Sequence, residues 1–385
     1  MAATDDSTFD ARVLQRARPN EKFASKRYHG IDITIVNALR RIVLAEIPYV
    51  ATYRDDDRCG SMAGGFVVRA NTGRLHDDML VDRIALVPIH LTRDEVLNFI
   101  PGSITVDLKV ANETKVVRDV TSEDLDVKLF GKPHPKGKMC HPACFVSGEH
   151  ALITRLYPGE RIHVSSTLEK ATPVTHAAFA VASNASIKLG LDERAYEEEL
   201  RSLRAEHACS SERERARAIN RLEHIGRERL VRRTPDGDPE TATLCVESES
   251  GLSGTEIIRF AEDELVKKFT TDNISFDVRT EPDGVSFTIH KQGHTFGSVL
   301  QALCMRDRAE LAIKSVGYYV PHPLETDIVV RVALLDSASK PNANDGGGGE
   351  KDSGGDLCEL FSRMRAHCAR KISDSFSGGE AGRSA

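Results

Sequence analysis

Tryptophan is absent from this 385-residue chain, and all aromatic residues together make up 5% of it. So few flat rings argue against a surface that works by stacking on bases. No run of about 18 apolar residues occurs, so the sequence offers no membrane-spanning helix. The opening stretch "MAATDDSTFDARVLQRARPN" lacks the apolar core of a secretory signal. The eight cysteines are scattered without a disulfide-framework spacing, which reads as reduced thiols in an intracellular compartment. An excess of positive charge is missing too. Lys and Arg number 52 against 58 Asp and Glu, a formal net charge of -6, so any contact with nucleic acid needs a local basic patch. Neither a G-x-x-x-x-G-K-[ST] phosphate loop nor a dinucleotide fingerprint is present. The acidic run at 55–57 is not the spaced aspartate set that holds two magnesium ions for nucleotidyl transfer.

What the chain does have is 40% hydrophobic residues, enough for a sizeable core over two or three domains, arranged in clear periods. Around "NALRRIVLAEIP" (37–48), Ile35, Leu39, Ile42 and Val43 recur at the spacing of an amphipathic helix. Asp32 or Thr34 can cap it and Pro48 stops it. On another side of the same helix stand Asn37, Arg40 and Arg41. "SGTEIIRFAEDELVKKF" is a second such helix, with Ser253 as N-cap, Glu256 three positions on, and Ile258, Ala261, Leu265 and Phe269 as its stripe. "ISFDVRTEPDGVSFTIH" reads as a hairpin turning at Pro282, Asp283 and Gly284. A third helix follows, with Thr295 as its predicted N-cap and Phe296, Val299, Leu300, Leu303 and Cys304 on one stripe. "AIKSVGYYVPHP" and "DIVVRVALL" read as strands. The last helix begins at a capping-box-like Asp356 and Glu359 and aligns Leu357, Leu360, Phe361, Met364 and Cys368.

The first half follows the same order with more inserted: a strand near "FVVRANT", a short helix "LHDDMLVDRI", and an alternating strand "ITVDLKV". The fold class expected is therefore α+β, with two similar units packed helix on helix and a β-rich insert in the first. A helix over one sheet face buries only one stripe, and stacking two such units buries the rest. About ten apolar side chains at roughly 1.5–3 kcal/mol each would drive the docking before entropy is subtracted. The competing arrangement is two independent domains with ordinary cores.

The expected segments are 1–90 and 243–271 for the first unit, 91–155 for the insert and 156–190 for return strands. Residues 272–372 form the second unit, with a flexible loop at 337–355 and a disordered tail at 373–385. Residues 191–242 are a charged insert or linker. Its stretch 191–233 mixes Glu and Arg, which reads as a solvated helix or hairpin rather than a nucleic-acid arm.

One constellation resembles a metal site: "GKPHPKGKMCHPACFVSGEH" carries Cys140, His141 and Cys144, flanked by His134 and His150. Two cysteines without a second pair do not complete a zinc set, so the expected reading is a Pro/Gly-rich loop with no bound metal and no cofactor. Lys132, Lys136 and Lys138 make a small, solvated basic patch there.

"NALRRIVLAEIPYVAT" followed by "NTGRLHDDMLVDRIALVPI" resembles the signature of the alpha-type RNA polymerase family. That family includes the bacterial alpha N-terminal domain, the third subunit of RNA polymerase II and the archaeal counterpart of that third subunit. "HTFGSVLQALCMRD" with "VGYYVPHPLETDIVVRV" resembles the smaller partner, the eleventh subunit of RNA polymerase II and its archaeal counterpart. The resemblance covers most of 25–190 and 243–372. It implies an intrachain heterodimer that forms a non-catalytic assembly platform of a DNA-directed RNA polymerase. Covalent fusion would replace a bimolecular encounter by an effective concentration on the order of mM. Such fusions resemble the arrangement in large DNA viruses, which implies an intracellular setting at the site of viral transcription: host cytoplasm, nucleus or virion.

The implied partners are the two largest polymerase subunits and small zinc-bearing subunits, with DNA reached only through the complex, no membrane, and no need for a homo-oligomer. The implied partner-facing residues are Asn37, Arg40, Arg41, Asn71, Thr72, Asp82 and Arg83. Guanidinium forks at Arg40 and Arg41 suit carboxylates or carbonyls of a large subunit. The implied intrachain interface comprises Ile35, Leu39, Ile42, Val43, Ile258, Leu265, Phe296, Val299, Leu300, Leu303, Leu360, Phe361 and Met364. His294, Pro321, His322, Pro323 and Leu324 match the smaller partner's signature, with the prolines shaping a turn. The alternatives are a free-standing nucleic-acid-binding regulator and a metallohydrolase built on the 134–150 cluster.

Overall fold

The computed structural model describes residues 22–53, 65–133, 150–207, 211–235, 237–272, 274–335 and 353–377. In chain order the larger elements are β1 (Phe23–His29), α1 (Ile33–Ala45), β2 (Tyr49–Ala51), β3 (Phe66–Asn71), α2 (Asp77–Ala85), α3 (Arg93–Leu97), β4 (Ile104–Ala111), β5 (Arg118–Thr121) and β6 (Leu125–Leu129). Then come β7 (Lys132–Pro133), β8 (Leu152–Leu156), β9 (Arg161–Thr167), β10 (Glu169–Ala171), β11 (Ala182–Leu189), α4 (Glu193–Glu206), α5 (Glu212–Arg221) and β12 (Thr241–Ser248). The chain continues with α6 (Gly254–Thr270), β13 (Phe276–Glu281), β14 (Gly284–Ile289), α7 (His294–Arg306), β15 (Ile313–Tyr319), β16 (Ile328–Leu334) and α8 (Ser353–Ser377). The fold is α+β. Among the described residues no helix is long and apolar enough to cross a membrane.

Two compact units divide the chain discontinuously. One comprises 1–26, 42–186 and 245–261; the other comprises 27–41, 187–244 and 262–385. Strands β1, β12 and β11 form a sheet in that order.

In the first unit the main sheet runs β3-β9-β4-β6-β7. Alternation in β4 buries Ile104, Val106, Leu108 and Val110. Val106 stands opposite Val127, and Leu108 lies between Leu125 and Val164, so apolar pairs stack across one face. The expected insert 91–155 is thus not a separate sheet: its β4, β6 and β7 continue the sheet of β3 and β9, because β9 pairs with both β3 and β4. The buried Tyr49 hydroxyl donates to the Ile89 carbonyl at 2.6 Å and accepts from the amides of Leu91 at 3.2 Å and Gly251 at 3.1 Å. A side chain at Gly251 would strike the His90–Leu91 backbone, so this approach requires glycine.

The second unit holds the four-stranded antiparallel sheet β13-β14-β16-β15. Its register aligns Val278, Phe287, Val330 and Tyr318 in one row, and Thr280, Val285, Val332 and Val316 in another. The hairpin turns on Pro282 and Asp283 alone, because Gly284 already pairs with Glu281.

Helix ends follow local chemistry. Asp32 caps α1 through its carboxylate, which accepts the Thr34 amide at 2.8 Å. Ser253 and Glu256 make a reciprocal capping box at α6, with both bonds to the Glu256 carboxylate at 2.8 Å. Three expectations need correction. The N-cap of α7 is Gly293, not Thr295, which lies inside the helix with its side chain buried. Helix α8 starts at Ser353, so Asp356 lies within it and the loop expected to reach 355 ends sooner. The tail expected to be disordered from 373 is helical to Ser377, anchored by fully buried Ile372 and a Tyr28–Phe376 ring contact at 6.4 Å.

Residues 191–233 form a helical hairpin. Asp192 caps α4, Ser211 and Glu214 box the start of α5, and Arg215 donates to the His207 carbonyl at 3.2 Å. A single π turn at Leu222–Gly226 leads back to a bridge between Leu191 and Val231.

Candidate functional site

Within the second unit, elements from both halves of the chain meet. The Phe269 ring of α6 stacks on the Phe296 ring of α7 at 4.6 Å, with planes 10° apart, and both rings are fully buried. From α8, Arg365 donates to the last carbonyls of α6, at Phe269 (3.3 Å) and at Thr271 just beyond it. This is the position where a cation best offsets the helix dipole. Arg306 at the end of α7 pairs with the Asp32 cap of α1 at 3.0 Å and with Asp238. Tyr28 donates to Glu262 at 2.7 Å, and burial followed by the Glu262 charge pushes its phenol far above the ordinary value.

The apolar residues assigned to the interface are all buried: Ile35, Leu39, Ile42, Val43, Ile258, Leu265, Phe296, Val299, Leu300, Leu303, Leu360, Phe361 and Met364. Of these, Ile42, Val43 and Ile258 belong to the first unit and the rest to the second.

The seven residues assigned to partner contact separate into two groups. Asn37 and Arg40 share the outer face of α1, where the Arg40 Nε donates to the Asn37 Oδ1 at 3.0 Å. The terminal guanidinium nitrogens of Arg40 carry no bond among the described residues. Asp82 is exposed on α2 between the outward apolar side chains Met79 and Leu86, which are 58% and 61% exposed. Arg41 is exposed as well, and among the described residues only its Nε is bonded, donating to the Thr295 Oγ1 at 3.0 Å. The other three are spent on internal bonds. Asn71 bonds Leu75, Asp77 and Gly73 and staples its own loop. The Thr72 hydroxyl accepts the Arg161 amide at 2.8 Å. Arg83 ties α2 to β8 through the carbonyls of Ile153 at 2.6 Å and Leu152 at 2.7 Å. Met79 and Leu86 escaped the sequence reading. Their signal was an i, i+7 apolar pair lying off the buried stripe of Leu80, Val81, Ile84 and Ala85.

The smaller-partner signature also resolves. The His294 Nδ1 lies 3.2 Å from the Tyr318 hydroxyl. Pro321, His322, Pro323 and Leu324 are exposed in the β15–β16 connection, where the His322 ring accepts the Leu324 amide at 3.2 Å.

His134, Cys140, His141 and Cys144 lie outside the described residues. Elsewhere, the donor atoms of Asp307, Glu310 and His367 come within 4.8 Å of one another. Lys371 sits 2.9 Å from Asp307, and Arg370 sits 2.6 Å from Glu310, so protein cations already fill that charge. Arg370 donates to the His367 Nδ1 at 3.0 Å, so Nε2 carries the proton donated to Asp307 at 2.9 Å. Burial raises the Asp307 carboxyl, but bonds from Lys371 and His367 outweigh this and hold it below the usual range. The cluster is an ion-pair network between the end of α7 and α8. Beside it, the buried thiols of Cys304 and Cys368 lie 3.7 Å apart and are free.

Residues 27–269 match the family model of the RNA polymerase Rpb3/Rpb11 dimerisation domain. The chain belongs to the Rpb3/Rpb11 family. A second dimerisation domain of the same description matches residues 284–343, so two Rpb3/Rpb11-type domains lie fused in one chain. Over 184 residues the chain is 27% identical to the DNA-directed RNA polymerases I and III subunit RPAC1 of Saccharomyces cerevisiae, covering 42% of this chain and 51% of that one. It is 36% identical over 62 residues to a probable DNA-directed RNA polymerase II subunit RPB11 of Caenorhabditis briggsae, covering 16% of this chain and 48% of that one. A conjugation stage-specific protein of Tetrahymena thermophila is 33% identical over 104 residues, 24% of this chain and 30% of that protein. The chain thus spans about a third to a half of the length of these relatives.

Proposed function

We propose that this Rpb3/Rpb11-type chain is a non-catalytic assembly platform of a multisubunit DNA-directed RNA polymerase, a fused heterodimer that docks the two largest subunits. The observation that carries the reading is the presence of two dimerisation domains in one chain, with α1 and α6 of the first half bonded to α7 and α8 of the second. The relatives RPAC1 and RPB11, both polymerase subunits by name, support it.

Asn37, Arg40 and Arg41 on α1, and Asp82 with Met79 and Leu86 on α2, are the docking groups. Asn71, Thr72 and Arg83 position them, since their own bonds are internal. Small zinc-bearing subunits complete the partner set. Fusion of the two partners further supports a source in a large DNA virus and action wherever that virus transcribes. Affinity purification of the chain from its source, followed by mass spectrometry, tests the assignment. Both of the largest polymerase subunits should co-purify in equal amounts, and Arg40→Glu should deplete at least one of them. Recovery of the chain without either subunit would refute the assignment.

A further inference from the structure

The helical hairpin 191–233 is the one strongly charged element that the platform reading leaves without work. Its mixed Glu and Arg content read as a solvated face, but α5 aligns three of its arginines. At about 100° per residue, Arg215, Ala218 and Ile219 of α5 fall on one side with Leu222 just beyond. These are its half-buried or buried positions. Arg213, Arg217 and Arg221 fall diametrically opposite, one turn apart, and all three are exposed. The positions one turn on from them are Ala216, Asn220 and His224; one turn back from Arg217 stands Glu214, whose carboxylate is drawn to the helix start by the Ser211 amide and hydroxyl. Among the described residues no acid, carbonyl or ring bonds any of the three arginines.

Helix α4 serves as an internal comparison. Its outermost ridge is Arg194, Glu198, Arg201 and Ala205, where opposite charges alternate as on an ordinary solvated helix. Three arginines in line at four-residue spacing, in a chain of net charge -6, depart from that alternation.

We infer that the Arg213–Arg217–Arg221 ridge of α5 is a contact surface for the phosphate backbone of a nucleic acid. The spacing fits. Eight residues of helix span about 12 Å, and one strand of a duplex presents a phosphate about every 3.4 Å of its axis. Because the strand also winds round that axis, its phosphates lie farther apart in space than this, close to the roughly 6 Å between arginines four residues apart, so the three arginines match three phosphates of one strand. No base-reading group extends the ridge, so the contact is independent of sequence and positions the duplex rather than selecting it. This adds a direct contact to a chain expected to meet DNA only through its complex, and it does not depend on how the large subunits dock.

Fluorescence anisotropy of the full chain with a labelled 30-base-pair DNA duplex tests the inference. With three phosphates neutralised, a fourfold rise in KCl should weaken binding about 40-fold. Arg213→Gln, Arg217→Gln and Arg221→Gln together should abolish the salt-dependent binding. The corresponding triple Lys variant should retain most of it, and Arg194→Gln with Arg201→Gln on α4 should change nothing. Far-UV circular dichroism confirms that each variant keeps its helix content. Binding by the Gln variant equal to that of the parent chain, or binding insensitive to salt, overturns the inference. Displacement of the duplex by a poly-glutamate peptide as readily as by unlabelled DNA also overturns it and assigns the ridge to acidic proteins.

Discussion

Phe296→Ala is the sharpest probe of whether the two halves share one core. The ring is fully buried and lies flat against Phe269, a residue from the other half of the chain. Truncation removes the transfer free energy of the ring and leaves a cavity, together about 3–5 kcal/mol. Stacked aromatic pairs add about 0.5–1.5 kcal/mol beyond area alone, so Phe269→Ala and Phe296→Ala should be non-additive by that amount. With no tryptophan in the chain, far-UV circular dichroism is the natural signal for urea unfolding. The cycle needs the parent, both single variants and the double variant. A loss below about 1 kcal/mol for Phe296→Ala would refute the reasoning. So would a coupling energy indistinguishable from zero, since it would mean that the rings are neighbours without being packed partners.

Arg40→Glu should shift stability by less than about 0.5 kcal/mol, whereas Arg41→Glu, which breaks the bond to Thr295, should cost about 1 kcal/mol; equal melting temperatures would contradict this. Gly297→Ala forces a methyl group into the Tyr318 ring and should destabilise by about 1–3 kcal/mol, an effect partly relieved when Tyr318→Ala is added. Leu300→Asp places an unpaired carboxylate in the core at a cost of several kcal/mol, while exposed Lys314→Asp should be nearly silent in thermal melts. His290 is raised above its ordinary value, first by its hydrogen bond to Asp327 and then by Asp277, and Asp327 is held low chiefly by the same bond. The histidine contribution is complete below a pH of about 6.5 and is lost as pH rises through the raised value. The melting-temperature deficit of His290→Gln should therefore be large near pH 6 and vanish in alkali.

What could be read in the sequence was whatever repeats with a period or sits within four residues of its partner. The stripe of α1, the Ser253–Glu256 box and the β13–β14 hairpin all belong to that class, as does the exposure of Asn37 and Arg41. What could not be read were pairings set by tertiary approach. Arg41 is an exposed arginine, but its acceptor, Thr295, lies 254 positions away. That same contact explains the missed cap: a threonine turned inward toward an arginine is not free to close its own helix. Arg83 and Asn71 carried the family signature, yet their bonds to carbonyls of β8 and of the adjacent loop could not be seen without the fold. The alignment of three arginines on α5 was hidden because composition averages over faces that a helix separates.

The Asp32 carboxylate carries a consequence for synthesis. One of its oxygens starts α1 and the other receives Arg306, so a helix near the beginning of the chain is completed by a residue 274 positions later. At about 5–20 residues per second, a ribosome takes roughly a quarter of a minute to a minute to cover that distance. Throughout that interval the stripe of α1 has emerged while the helices it bonds have not. Separate platform subunits meet this problem by encounter in solution. A fused chain meets it by waiting on its own translation, so the apolar stripe of its first half stays uncovered until the second half is made.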